Sequence, residues 1–141
     1  MTAEEALKRE LVSRYIELYK DDEDVNTDLD FSCDIGDLYD SCENIIDLES
    51  DLRSGEVETG IKPPFNRHYE SRSVAMKTEK YGWIGWTYWF GGGKHGCPEE
   101  IDWIGDAYFL DCEEKEVMTT VRTFKKGYVK RLGVAEFKIS N

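Results

Sequence analysis

Apolar positions recur at helical intervals through the first 55 residues and alternate after residue 66. Thr2 and Glu5 form a capping box. Leu7, Leu11, Ile16 and Leu18, with Tyr15 and Tyr19, give a broad apolar face, which predicts a first helix ending near Lys20. Residues 21–34, DDEDVNTDLDFSCD, read as a polar connection anchored only by Val25, Leu29 and Phe31. A second helix is expected over Ile35 to Arg53: Ile35, Leu38, Cys42, Ile45 and Leu52 share one face, with Tyr39, Ile46 and Leu48 widening it. Ser54-Gly55 supplies the stop.

Residues 56–66 read as a linker containing Pro63-Pro64. Strands are expected at His68 to Lys77 and Lys80 to Phe90, and at Ala107 to Cys112 and Glu116 to Phe124 as a hairpin around 113–115. Val134 to Ile139 suits a last edge strand or a short tail. The pattern is that of one α+β domain over 1–141: an acidic helical part (1–55), then an antiparallel sheet of four to five strands (66–141).

Charge changes the picture. The net charge is −12, but residues 1–60 hold 19 acidic and 5 basic side chains, whereas 61–141 hold 11 and 13. Between Lys20 and Arg53 stand 13 Asp and Glu and no Lys or Arg. On the second helix Asp37, Asp40, Asp47 and Asp51 recur with Asn44 opposite the apolar face, without the (i, i+4) cations that stabilise a helix surface. A surface written this way suits a basic partner protein. The candidate partner-binding residues are Asp22 and Asp24 in the preceding loop with Asp37, Asp40, Asp47 and Asp51. Their spacing along a helix, about 5–6 Å, is of the order of phosphate spacing, as in DNA-mimic inhibitors, and a small acidic cap also suits an immunity-type antagonist. The same charge disfavours direct nucleic-acid binding, although Arg122, Lys125, Lys126, Lys130 and Arg131 cluster near the end.

The stretch YWFGGGKHGCPEEIDW, 88–103, offers other chemistry. Gly91, Gly93 and Gly96 satisfy G-x-G-x-x-G formally, but the motif requires a βαβ unit, and Lys94 is followed by His95 where a phosphate-binding loop needs Ser or Thr. A connection between aromatic strands, with glycines at positive φ, accounts for the run. In Trp83 to Phe90, Ile84, Trp86, Tyr88 and Phe90 fall on one face and Trp83, Thr87 and Trp89 on the other. An alternative function, a binder of an anion or carbohydrate or an enzyme, would use Lys94 and His95 with Trp83, Trp89 and Trp103 as a partly exposed patch.

Other chemistries fit less well. His95, Cys97 and Glu99 supply half a zinc pattern. Asp22, Asp24 and Asn26 begin like a calcium loop, but Thr27 and Cys33 stand where Gly and Glu are needed. With no G-x-S-x-G and only two histidines, the sequence argues against an enzyme, and no cofactor or metal is expected. The polar N-terminus and the four cysteines without a C-x-x-C pair point to a cytoplasmic protein with reduced, mostly buried thiols. No membrane interaction is expected, and a homo-oligomer is compatible with these features.

Overall fold

A computed structural model describes residues 1–118 and 120–126, together with the backbone of 129–131 and 136–138. Helix α1 spans Ala3–Tyr19, and the Thr2 hydroxyl accepts from the Glu5 N–H at 3.1 Å, as the capping pattern predicts. Ala6, Leu7, Leu11, Val12 and Tyr15 are buried on its inner face. Each large apolar side chain buried there contributes about 1.5–3 kcal/mol. Leu18, placed on the apolar face by its spacing, is exposed, whereas Ile16 and Tyr19 in the same last turn pack against the core.

The expected second helix is two helices, α2 (Ile35–Ser41) and α3 (Ile45–Leu52). Cys42 is extended and Asn44 takes a left-handed backbone at φ 61°, which interrupts the helical hydrogen-bond ladder. Leu38, Tyr39 and Cys42 are buried before the break, while Ile45, Leu48 and Leu52 of α3 pack half-buried against the core.

The sheet follows, in order β1 (Val57–Glu58), β2 (Glu70–Lys77), β3 (Trp83–Phe90) and β4 (Tyr108–Leu110), every pair antiparallel. The architecture is α+β, as expected. Val74 lies opposite Trp86 and Met76 opposite Ile84, so these four share the face turned to the helices and are buried. Trp103, from the β3–β4 connection, stacks obliquely on Trp86 with ring centroids 4.8 Å apart.

Glu10 is buried on α1 and held by two partners: Arg14 at 3.2 Å and the Glu79 N–H at 3.3 Å. Arg14 continues to Glu56 at 3.4 Å and the Lys77 carbonyl at 3.5 Å, tying the helix to the β1–β2 edge. A carboxylate with several such partners is tolerated inside; a lone one is not.

Three further expectations are corrected. The 56–66 linker contains β1, because its first residues find a pairing edge on β2 at Val74 and Ala75. Ala107 to Cys112 pairs with β3, whereas residues 116–124 make no strand among the described residues; their alternation supplies propensity, but β4 ends at Leu110 without offering them a ladder. Val117, Met118, Val121 and Phe124 are exposed as a result. At the far end, β6 (Glu136–Lys138) pairs with β5 (Val129–Arg131) in a separate two-stranded sheet, and the rest of the expected 134–139 element lies outside the described residues.

Candidate functional site

The acidic surface is built from the loop upward. Asp22 accepts from the Asp24 N–H at 2.9 Å, Asn26 from Asp28 at 3.1 Å, Asp30 from Ser32 at 2.9 Å, and Asp34 from Asp37 at 3.2 Å. Four side chains spaced every four residues thus close successive turns, the last of them capping α2. This gives part of the acid run a structural purpose that its charge alone conceals. The Ser32 hydroxyl and then the Ser32 N–H hold the Asp30 carboxyl below the ordinary carboxylate range.

Other acids have no such task. Of the thirteen carboxylates from Asp21 to Asp51, twelve are exposed, and among the described residues none forms an ion pair. Asp37 and Asp40 stand on α2; Asp47 and Asp51 stand on α3. The expected single stripe is therefore corrected to two short sets separated by the break at Cys42–Asn44. The exception to exposure is Glu49, whose carboxylate accepts from the Tyr39 hydroxyl across that break. Burial pushes its pKa up, Asp102 adds repulsion, and Lys8 opposes both.

The glycine loop connects β3 to β4 through two one-turn 3-10 helices, Gly93–His95 and Pro98–Glu100. Gly91, Gly92 and Gly93 all have positive φ. Two close approaches require glycine for a further reason. A Cβ on Gly92 would press on the Tyr69 ring, and one on Gly96 would lie 2.8 Å from Gly92 backbone atoms. Lys94 and His95 are exposed.

The tryptophans do not gather beside them. Trp103 is 5% exposed against Trp86, so it belongs to the core and leaves the expected patch. Trp83 lies opposite Lys77 and Leu110, lining an apolar cavity of about 310 Å³ with Val57, Ile61 and Cys112. Trp89 stands six residues away on the strand, roughly 20 Å along it, and is half-buried.

Cysteine placement is also corrected: Cys42 is buried, but Cys33, Cys97 and Cys112 are exposed free thiols outside the helices and strands. Among the described residues no helix is long and apolar enough to cross a membrane.

Sequence reasoning missed two features. Arg53 connects α3 to the sheet, donating to the Trp89 carbonyl at 2.7 Å and lying over the Tyr88 ring at 4.9 Å. The end of the segment read as a linker, with the start of the expected 68–77 strand, forms one wall of an open cleft, and the interleaved Lys62, Phe65, Arg67 and His68 were the available signal. Comparison with protein-family models, with curated proteins and with solved structures finds no match.

Proposed function

We propose that the protein is an acidic binding module that docks on a basic partner protein through α2, α3 and the loop before them. The observation that carries the reading is the run of exposed carboxylates from Asp21 to Asp51 without a cation among them. Mutual repulsion in such a run weakens the fold and is relieved when a basic surface covers it. Asp22, Asp30 and Asp34 are explained by the turns they close, so the residues left for recognition are chiefly Asp37, Asp40, Asp47 and Asp51, with Asp24 in the preceding loop. An inhibitor that occupies the groove of a nucleic-acid-handling enzyme, or one that caps a basic toxin, has this chemistry, with electrostatic steering that speeds encounter.

The test compares the wild-type chain with the variant carrying Asp37→Asn, Asp40→Asn, Asp47→Asn and Asp51→Asn. Both are used as bait at low and high salt, and the retained proteins are identified by mass spectrometry. The reading requires a basic protein held by the wild type at low salt, released at high salt and not held by a variant of unchanged fold. Equal retention by the variant would overturn it.

A further inference from the structure

A second surface has the opposite chemistry. Segment 62–69 turns over the end of the sheet where Glu70 of β2 pairs with Phe90 of β3, leaving an open cleft of about 680 Å³. Its wall is preset. Pro63 and Pro64 restrict their own φ; the Asn66 side chain accepts from the N–H groups of His68 and Tyr69 at 2.7 and 3.2 Å; and the Ser71 hydroxyl donates to the Pro64 carbonyl at 2.9 Å. Behind it the glycine loop folds onto Tyr69, whose hydroxyl accepts from the Cys97 N–H at 3.2 Å, so Lys94 and His95 come to the same end of the sheet.

Three features of this cleft suit a ligand. The first is charge: in a chain of net charge −12, Lys62, Arg67 and Lys94 have no carboxylate partner among the described residues. Screening over about 8–10 Å separates such a site from distant acids. The second is an aromatic platform: Phe65, which lines the cleft with Lys62 and Arg67, is 90% exposed, where it gives up the burial that a phenylalanine normally gains. Nearby, Arg53, Tyr88, Phe90 and Arg72 form a stack, with the cations 4.9 Å from their rings and the rings 5.2 Å apart, which makes the neighbouring surface rigid. The third is an acceptor: Glu70 is the one carboxylate lining the cleft, suited to hydroxyl donors.

We propose that this cleft binds a nucleotide, with phosphate held by Lys62 and Arg67 and the planar base laid on Phe65. Glu70 accepts from the sugar hydroxyls. Inorganic phosphate would leave Phe65 unused, and a neutral carbohydrate would leave the cations unused; a nucleotide engages all three. The volume is in the range of small-molecule sites. No residue of this site belongs to the acidic docking face, so the two proposals stand or fall separately.

Calorimetric titration of the full chain with ATP, GTP, adenosine and pyrophosphate tests it. Saturable binding of ATP or GTP is expected, with adenosine and pyrophosphate each weaker by about tenfold or more. Replacing Lys62 and Arg67 together by Ala should weaken the nucleotide about tenfold while leaving adenosine unchanged; Phe65→Ala should weaken nucleotide and adenosine while leaving pyrophosphate unchanged. All three side chains are exposed, so the variants should melt as the wild type does. Lack of saturable binding by either nucleotide at millimolar concentration overturns the proposal. So does pyrophosphate binding as tightly as ATP, or a short oligothymidylate binding far more tightly than either nucleotide, since that outcome makes the surface a single-strand track.

Discussion

The indole N–H of Trp86 donates to the main-chain carbonyl of Arg53 at 2.8 Å, and the Arg53 guanidinium donates to the main-chain carbonyl of Trp89 at 2.7 Å. Residue 53 caps the end of α3 and residues 86 and 89 belong to β3, so the two bonds together clamp the end of the acidic helical part onto the sheet. The first also satisfies a carbonyl left over at a helix C-terminus.

Trp86→Phe removes the donor and leaves space beside Trp103. Urea unfolding should show a loss of about 3 kcal/mol, from the void and the unpaired carbonyl together. Arg53→Met keeps the apolar stem and loses only the hydrogen bond and the contact with Tyr88, at a cost of about 1 kcal/mol. A smaller loss for the tryptophan than for the arginine would refute this ordering.

Glu49 supplies a pH dependence. Its folded-state pKa lies above the ordinary value, so the unfolded chain releases this proton first as pH rises. The contribution of Glu49 is therefore most favourable below the ordinary glutamate range and is lost as pH climbs through the raised value. Glu49→Gln, which can still accept from Tyr39, should raise the Tm by about 1–3 °C at pH 7 and give no gain near pH 4. A gain of equal size at both pH values would show that charge is not the cause.

The glycines of the 91–96 loop should differ in cost according to what surrounds them. Gly92→Ala meets the Tyr69 ring and Gly96→Ala meets backbone, and each should destabilise by about 2–3 kcal/mol. Gly93→Ala has open space and only an unfavourable φ of 68°, for about 1 kcal/mol. Thermal melts of the three single variants decide the order; a loss for Gly93→Ala equal to that for Gly92→Ala would mean that backbone conformation alone sets the cost at these two positive-φ positions.

The break between α2 and α3 rests on one left-handed residue. Asn44→Gly should be neutral or slightly stabilising, whereas Asn44→Ala should cost about 1 kcal/mol. If alanine instead stabilised the protein and raised its helical circular dichroism, a continuous helix over 35–53 would be the preferred state.

Much of the fold was legible because its signals are local. The Thr2 cap, the period of Leu7, Leu11 and Tyr15, and the alternation through Ile84 and Trp86 each depend on neighbours within a few residues. The break at Asn44 was not legible, since the apolar period runs through it unbroken and the left-handed turn leaves no mark in that period. Likewise 116–124 alternates as well as a strand should, but a strand exists only where an edge accepts it.

The candidate surfaces divide in the same way. Charge and φ freedom belong to single residues, so the crowding of carboxylates over positions 21–51 and the bend at the glycine run are written directly in the chain. Packing alone sorts those acids into ones that close turns and ones that stand free, draws Trp103 into the core against Trp86, and sets Phe65 with Lys62 and Arg67 over the sheet end. Those outcomes depend on contacts between residues far apart in the chain, and no local periodicity encodes them.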